Sequence, residues 1–229
     1  MTTFGLVHGA YHGSWCWIRL QEELARRGHR ALTVDLPSED PDAGADAYAA
    51  AALTAFAEAP DDLVVVGHSL GGLTIPLLAA RRPVSRMIFL CALLPRPGRS
   101  QDDVLGDEPD AVVPTAVGPY VDAQGATRWD PEDAAGVFFS GCDPDTAAWA
   151  ASQLRGQQWR ITQEVTPIDA WPDVPSTSII ATADRVIDPA WSRRITPEVL
   201  GVVPIELDAD HSPFLSAAEA LADALLLRP

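Results

Sequence analysis

The most constraining feature of this chain is the run Asp62–Val66 (DLVVV), which leads directly into Gly67-His68-Ser69-Leu70-Gly71. The apolar residues of the run are consecutive rather than alternating. A strand of that kind needs cover on both faces, as a parallel strand has between two layers of helices. Ser85–Leu94 (SRMIFLCALL) has the same character. Thr2–His8, Arg30–Asp35, Ser176–Ala183 and Val202–Leu207 read as four more strands. Between them the period changes to that of helices. Ser14–His29 sets Trp17, Leu20 and Leu24 on one face and has Gly28 near its end. Gly44–Ala59 is anchored by Leu53 and Phe56, and further helices are expected over Leu70–Arg82 and from about Pro189. A last helix is expected after Ser216-Ala217-Ala218-Glu219, which has capping-box spacing. Pro76 removes a hydrogen bond from Leu70–Arg82 and predicts a kink there. The whole pattern predicts an α/β fold: a six-stranded, mostly parallel sheet with helices on both faces.

The alternation stops at Pro95 and resumes only after about Pro172. The intervening stretch is rich in proline and scattered aromatics, with a helical-looking end over Thr146–Glu164. At about 75 residues it is too long for a simple loop. Ligands bind at the C-terminal ends of the strands in open parallel sheets. The stretch is therefore expected to form a small cap over that end. Residues 1–94 and 173–229 would then make the core, and 95–172 the cap inserted after the fourth strand.

Composition narrows the function. The chain has 229 residues and is 47% apolar, enough for one core without a disulfide or metal staple. Its 16 basic residues are all arginine, against 32 acids, for a net charge of −16. Such a chain is repelled by nucleic acid and by anionic membranes. The absence of lysine excludes a P-loop, a Schiff-base enzyme and a lysine general base. Between Gln101 and Asp145 there are 11 acids and one arginine, Arg128, which disfavours anionic partners such as acyl-CoA. No stretch reaches the roughly 18 apolar residues of a membrane helix. Cys16, Cys91 and Cys142 show no C-x-x-C spacing and are expected as reduced, buried thiols. Together with a start that lacks a basic, apolar leader, this predicts a cytoplasmic chain whose partner is a small molecule.

Gly67-His68-Ser69-Leu70-Gly71 carries the chemistry. G-x-S-x-G alone arises by chance in roughly one in ten chains of this length. Here it joins an apolar strand to a helix, and that placement puts Ser69 on a strained turn with its hydroxyl clear of the sheet. The glycines permit backbone contacts too close for a Cβ. The first strand ends in His8-Gly9-Ala10-Tyr11-His12-Gly13-Ser14-Trp15. If it lies beside the strand from Asp62, the backbone amides of Ala10 and Leu70 can converge as an oxyanion hole, with Gly9 permitting the approach. His8 and His12 are expected to pack or hydrogen-bond.

A serine hydroxyl needs a base at pH 7. His29 lies at a helix end, and His68 points away from Ser69. His211 comes after the last strand, on the side where Ser69 should be. The acid that orients it should also sit just past a strand end. Asp184 does so directly, and Asp188 is the runner-up. Ser69, Asp184 and His211 then stand in the order of a Ser-Asp-His triad, with acyl transfer through an acyl-enzyme. Trp129, Phe138, Phe139, Trp149 and Leu154 are candidate cap contacts to substrate, beside Gly9.

Val7–Trp17 (VHGAYHGSWCW), Val65–Gly72 (VVGHSLGG), the strand ending at Asp184, and Asp208–Ser216 (DADHSPFLS) resemble the α/β-hydrolases of the methylesterase and hydroxynitrile-lyase type. That group includes plant salicylate-binding esterases and many bacterial homologues. The resemblance runs over nearly the whole chain. It implies a six-stranded core with a small cap, no metal and no cofactor. It also implies a triad of Ser69, Asp184 and His211 with Ala10 and Leu70 at the oxyanion hole. The lyase members carry Thr at the position of Gly9 and Lys at that of Ser212, so the resemblance favours an esterase acting on a neutral, small-to-medium ester. The competing readings are a lyase, cyclase or acyltransferase, and a ligand-binding protein with a vestigial triad.

Overall fold

The computed structural model describes residues 1–227; the last two residues of the expected core lie outside it. Six strands form one parallel sheet: β1 (Thr3–Val7), β2 (Arg30–Thr33), β3 (Val64–His68), β4 (Arg86–Leu90), β7 (Ser176–Ala181) and β8 (Ile205–Leu207). Their order is β2-β1-β3-β4-β7-β8. β1 therefore has β2 on one side and β3 on the other, and the winding direction reverses between β1 and β3. The carboxyl ends of strands at such a switch point open a crevice for ligands.

The central strands are buried along their length except at Arg86, which opens β4 half-buried. Successive side chains go to opposite faces. Phe4, Leu6, Val64, Val66, Ile88 and Leu90 join one apolar cluster, with Trp17, Leu20 and Leu24 of the first helical segment and Leu221 and Leu225 of the last. Val65, Met87 and Phe89 join a second cluster on the other face. The first face carries α1 (Ile18–Arg26), entered through a 3₁₀ turn at Ser14–Trp17, with the short α9 (Pro213–Ser216) and α10 (Ala218–Leu226). The other face is covered by α2 (Ala45–Ala55), α3 (Ile75–Ala79) and α8 (Pro189–Leu200). Burial of such side chains is worth roughly 1.5–3 kcal/mol each, which is why these two clusters decide the fold.

Several sequence expectations are corrected. Leu70–Arg82 is not one helix: a 3₁₀ turn over Ser69–Leu73 gives way to α3, with Pro76 in its first turn. Proline lacks the amide that a continuous helix would need there, so the expected kink becomes a break. Thr146–Glu164 divides into α6 (Pro144–Ser152) and the four-residue α7 (Arg160–Gln163). Between them Gln157 pairs with Thr127 in an isolated β-bridge, which a helix could not provide. The Ser216–Glu219 capping box does not form. α10 begins at Ala218 without a side-chain cap, because the Ser216 hydroxyl donates to Asp210 Oδ1 at 2.6 Å.

The stretch between β4 and β7 holds α4 (Gln101–Asp107), the ribbon β5 (Tyr120–Val121) and β6 (Thr127–Arg128), α5 (Pro131–Phe138), α6 and α7. Most of its buried apolar residues join the two clusters of the sheet. Ala134, Phe138 and Ala150 belong to the first, Ala111 and Ile161 to the second.

Candidate active site

Ser69 sits just past β3 with a φ of +50°, in the left-handed region that an L-residue adopts only under constraint. The constraint is packing of bare backbone. A Cβ on Gly67 would lie 2.7 Å from the Gly71 carbonyl oxygen, and one on Gly71 2.6 Å from that of Val7. The turn thus presses directly onto the end of β1.

The loop after β1 lies against this turn. A Cβ on Gly9 would sit 2.7 Å from Ser69 Cβ and 2.9 Å from His68 Nδ1. Gly9 is therefore a floor beneath the serine, not a wall of the cavity. Ala10 and Leu70 both line the same cavity as Ser69 and His211. Neither amide donates to a backbone acceptor in a turn or loop among the described residues.

Asp184 and His211 come together from the ends of β7 and β8. Both Asp184 carboxylate oxygens lie 2.9 Å from His211 Nδ1. Asp184 Oδ1 also accepts the amides of Val186 (2.8 Å) and Ile187 (3.0 Å), which fix the carboxylate. The pair is almost wholly buried, the His211 and Asp184 side chains being 1% and 3% exposed. With its Nδ1 hydrogen given to Asp184, His211 keeps Nε2 as an acceptor. Asp188 caps α8 instead, accepting the amides of Ala190 and Trp191 at 2.7 and 2.9 Å.

The other buried histidines hold the site together. His68 Nε2 donates to the His211 carbonyl at 2.9 Å, and burial holds its pKa well below the usual value. His8 donates from Nδ1 to the Gly9 carbonyl (2.8 Å) and accepts the Leu36 amide at Nε2 (3.0 Å). His12 donates from Nδ1 to the Ala10 carbonyl at 2.8 Å. Burial lowers His8 to about 4 and His12 to about 3, so both stay neutral, as the acceptor role of His8 Nε2 requires.

Ser69 and His211 open onto a cavity of about 310 Å³. Trp129 and Phe138 line it. The other expected contacts do not. Phe139 is turned into the packing around His12 and Trp15, with centroids 5.7 and 6.4 Å away. Trp149 is 41% exposed and sets its edge against Trp15. Leu154 lies in the break after α6, half-buried against the first cluster. Sequence reasoning missed Tyr11, Leu105, Val113, Trp159, Val186 and Ile187, all of which line the cavity. Adjacency to Ala10 and Asp184 could have found three of them; Leu105 and Val113 sit in segments with no readable period. Arg185 is the one lining residue with a fixed charge, and no carboxylate lines the cavity, among the described residues.

The alpha/beta hydrolase family matches residues 6–224. The chain belongs to that family. Among curated proteins it is 39% identical to the "Probable esterase PIR7A" of Oryza sativa subsp. indica, over 42% of this chain and only 41% of that protein. It is 26% identical to Methylesterase 2 of Arabidopsis thaliana, over 97% of this chain and 94% of that one. It is 28% identical to the pyrethroid hydrolase of Sphingobium wenxiniae, over 98% and 86%. Among solved structures, polyneuridine aldehyde esterase superposes with a TM-score of 0.81 at 22% identity, covering 99% of this chain and 98% of that one. A pyrethroid hydrolase from Sphingobium faniae JZ-2 gives 0.78 at 23%, covering 98% and 95%. These superpositions speak for the fold. No helix among the described residues is long and apolar enough to cross a membrane.

Proposed function

We propose that the chain is a serine ester hydrolase acting through an acyl-enzyme on a neutral, small-to-medium carboxylic ester. The observation that carries this reading is the buried contact of Asp184 with His211 Nδ1 at the foot of an apolar cavity shared with Ser69. Relatives named as esterases, methylesterases and a pyrethroid hydrolase support it.

Ser69 Oγ attacks the ester carbonyl carbon as His211 Nε2 takes its proton. The carbonyl oxygen becomes an oxyanion facing the Ala10 and Leu70 amides, where each donor is worth roughly 3–4 kcal/mol in the transition state. The carbonyl re-forms, the alkoxide leaves, and it takes the proton from His211. Water, deprotonated by the same nitrogen, then attacks the acyl-enzyme, and Ser69 regains its hydrogen. Asp184 holds the ring in place and stabilises the imidazolium. No step needs a metal or a cofactor. Residues 95–172 serve as the cap, whose Trp129 and Phe138 cover the ester on a core of residues 1–94 and 173–229. The three free thiols fit a reducing, cytoplasmic setting.

The test is reaction with a fluorophosphonate probe, with the adduct located by peptide mass spectrometry. A single adduct on Ser69 is expected. Ser69→Ala should remain folded and lose at least about 10³-fold in kcat on an activated ester. Near-normal turnover in that variant would overturn the assignment.

A further inference from the structure

The loop that offers the Ala10 amide is strained and is held from outside. Tyr11, its next residue, has a φ of +65°. A tyrosine adopts that conformation only where its surroundings dictate it. Those surroundings come largely from the stretch between β4 and β7. The Tyr11 amide donates to Gln157 Oε1 at 3.4 Å. The Tyr11 carbonyl accepts the Arg155 amide at 2.7 Å. The Tyr11 hydroxyl lies 3.1 Å from Thr127 Oγ1. The Ala10 carbonyl, at the other end of the same peptide plane, accepts from His12 Nδ1 at 2.8 Å.

The Ala10–Tyr11 peptide is thus gripped at both ends, one grip from the core and one from Gln157. Gln157 is itself 1% exposed and fully engaged. Its Nε2 donates to the Tyr48 hydroxyl at 3.0 Å and to the Gln158 carbonyl at 2.5 Å. Its backbone exchanges two 2.9 Å bonds with Thr127. The shorter of the two Nε2 bonds, to the Gln158 carbonyl, suffices to orient the side-chain amide so that its oxygen, not its nitrogen, faces Tyr11.

We infer that Gln157 is a positioning residue for the oxyanion hole: its side-chain oxygen fixes the Ala10–Tyr11 peptide, so that the hole is complete only when the stretch between β4 and β7 is docked. This rests on the ester-hydrolase reading and on Ala10 as a donor in it. The Ala10 N–H lies on the adjoining Gly9–Ala10 peptide, held at its carbonyl by His8 at 2.8 Å. Releasing the Ala10–Tyr11 peptide frees the Ala10 Cα that joins the two planes and lets the amide drift off the oxyanion, which forms only in the transition state. The consequence falls on kcat and not on ground-state binding.

The experiment compares Gln157→Met, which keeps the length but removes the acceptor, with Tyr48→Phe, which removes a partner of the same side chain but leaves its oxygen on Tyr11. Both are assayed on an activated ester and against a trifluoromethyl ketone, which forms a tetrahedral adduct on the serine. Gln157→Met should lose between about tenfold and a hundredfold in kcat, with KM within about twofold. Its Ki for the ketone should rise in proportion. Tyr48→Phe should stay within about threefold of the parent in kcat and Ki. If Gln157→Met does not fold, Gln157→Asn, which withdraws the oxygen by one methylene, is held to the same criteria. Unchanged kcat, a loss shared equally by KM, an unchanged Ki, or an equal loss in Tyr48→Phe would each overturn the inference. A parent protein inert to both esters and fluorophosphonate would instead overturn the ester-hydrolase reading beneath it.

Discussion

Asp184 and Asp188 stand four positions apart on one loop, and their neighbours give them different roles. Asp184 faces the imidazole and two backbone amides at once. Every group around its carboxylate is a donor. An asparagine there would bring its own N–H₂ against a donor and force His211 toward the tautomer that cannot accept from Ser69. Asp184→Asn is therefore expected to lose about 10³-fold or more in kcat. Asp188 accepts only the first amides of α8. Asparagine caps a helix about as well as aspartate, so Asp188→Asn should stay within about twofold. Steady-state rates on one activated ester decide this, and the reverse ranking would move the role to Asp188. At this scale the sequence is a good guide. Ser69, Asp184 and His211 each stand within four residues of the end of a sheet strand, so a local pattern could place all three at one edge of the sheet. Phe139, Trp149 and Leu154 were misplaced because aromatic or apolar character does not say which way a residue faces in a segment without a period.

Single elements were legible where one period governed them and illegible where tertiary contacts intervened. All six expected strands form, but β3 is shifted by two residues from Asp62–Val66 to Val64–His68, and the last is cut from Val202–Leu207 to Ile205–Leu207. The helix over Thr146–Glu164 is broken by the pairing of Gln157 with Thr127, a partner 30 residues away. The connection from β1 to the loop after β2 depends on another such contact, the His8 imidazole. It must be neutral to accept the Leu36 amide, and burial lowers its pKa from 6.5 to about 4. In the unfolded chain His8 takes up a proton below about pH 6.5, whereas in the folded chain it does so only below about 4. The unfolded state thus binds more protons in that window. The stability is fully present above it and is lost as pH falls through it, by up to about 3 kcal/mol for this one group. His12, lowered to about 3, adds a loss of the same sign. Urea midpoints measured from pH 7 to 4 should fall steadily. His8→Gln, which can donate to Gly9 and accept from Leu36 without titrating, should show a shallower fall. Parallel profiles for the two proteins would mean that His8 is not the titrating contact.

For the molecule as a whole, the sign of the charge was plain from composition but its consequence depends on placement. Among the described residues, eleven arginines pair with carboxylates within 4.0 Å. The net charge nevertheless remains −16, and the stretch between β4 and β7, which supplies part of the cavity lining, carries much of the excess. That field opposes the approach of an anion. Arg185 opposes the field locally. It lies at the cavity, and among the described residues its guanidinium has no carboxylate within ion-pair distance, only the Gly136 carbonyl at 3.4 Å. One exposed cation has a short reach in water, about 8–10 Å at physiological salt, whereas an excess spread over the surface acts on every encounter at low salt. The long-range effect should therefore win. Consider two esters of equal size, one ending in a methyl group and one in a carboxylate remote from the scissile bond. At about 10 mM salt the carboxylate ester should have the lower kcat/KM, and raising salt to about 0.3 M should lift it several-fold while the neutral ester changes less than about twofold. The rise belongs to encounter, so it should be carried by kcat/KM and leave kcat nearly constant. A carboxylate ester preferred at low salt, with the preference lost in Arg185→Gln, would give the opposite result: the single cation at the cavity, and not the surrounding acidic surface, would then select the substrate.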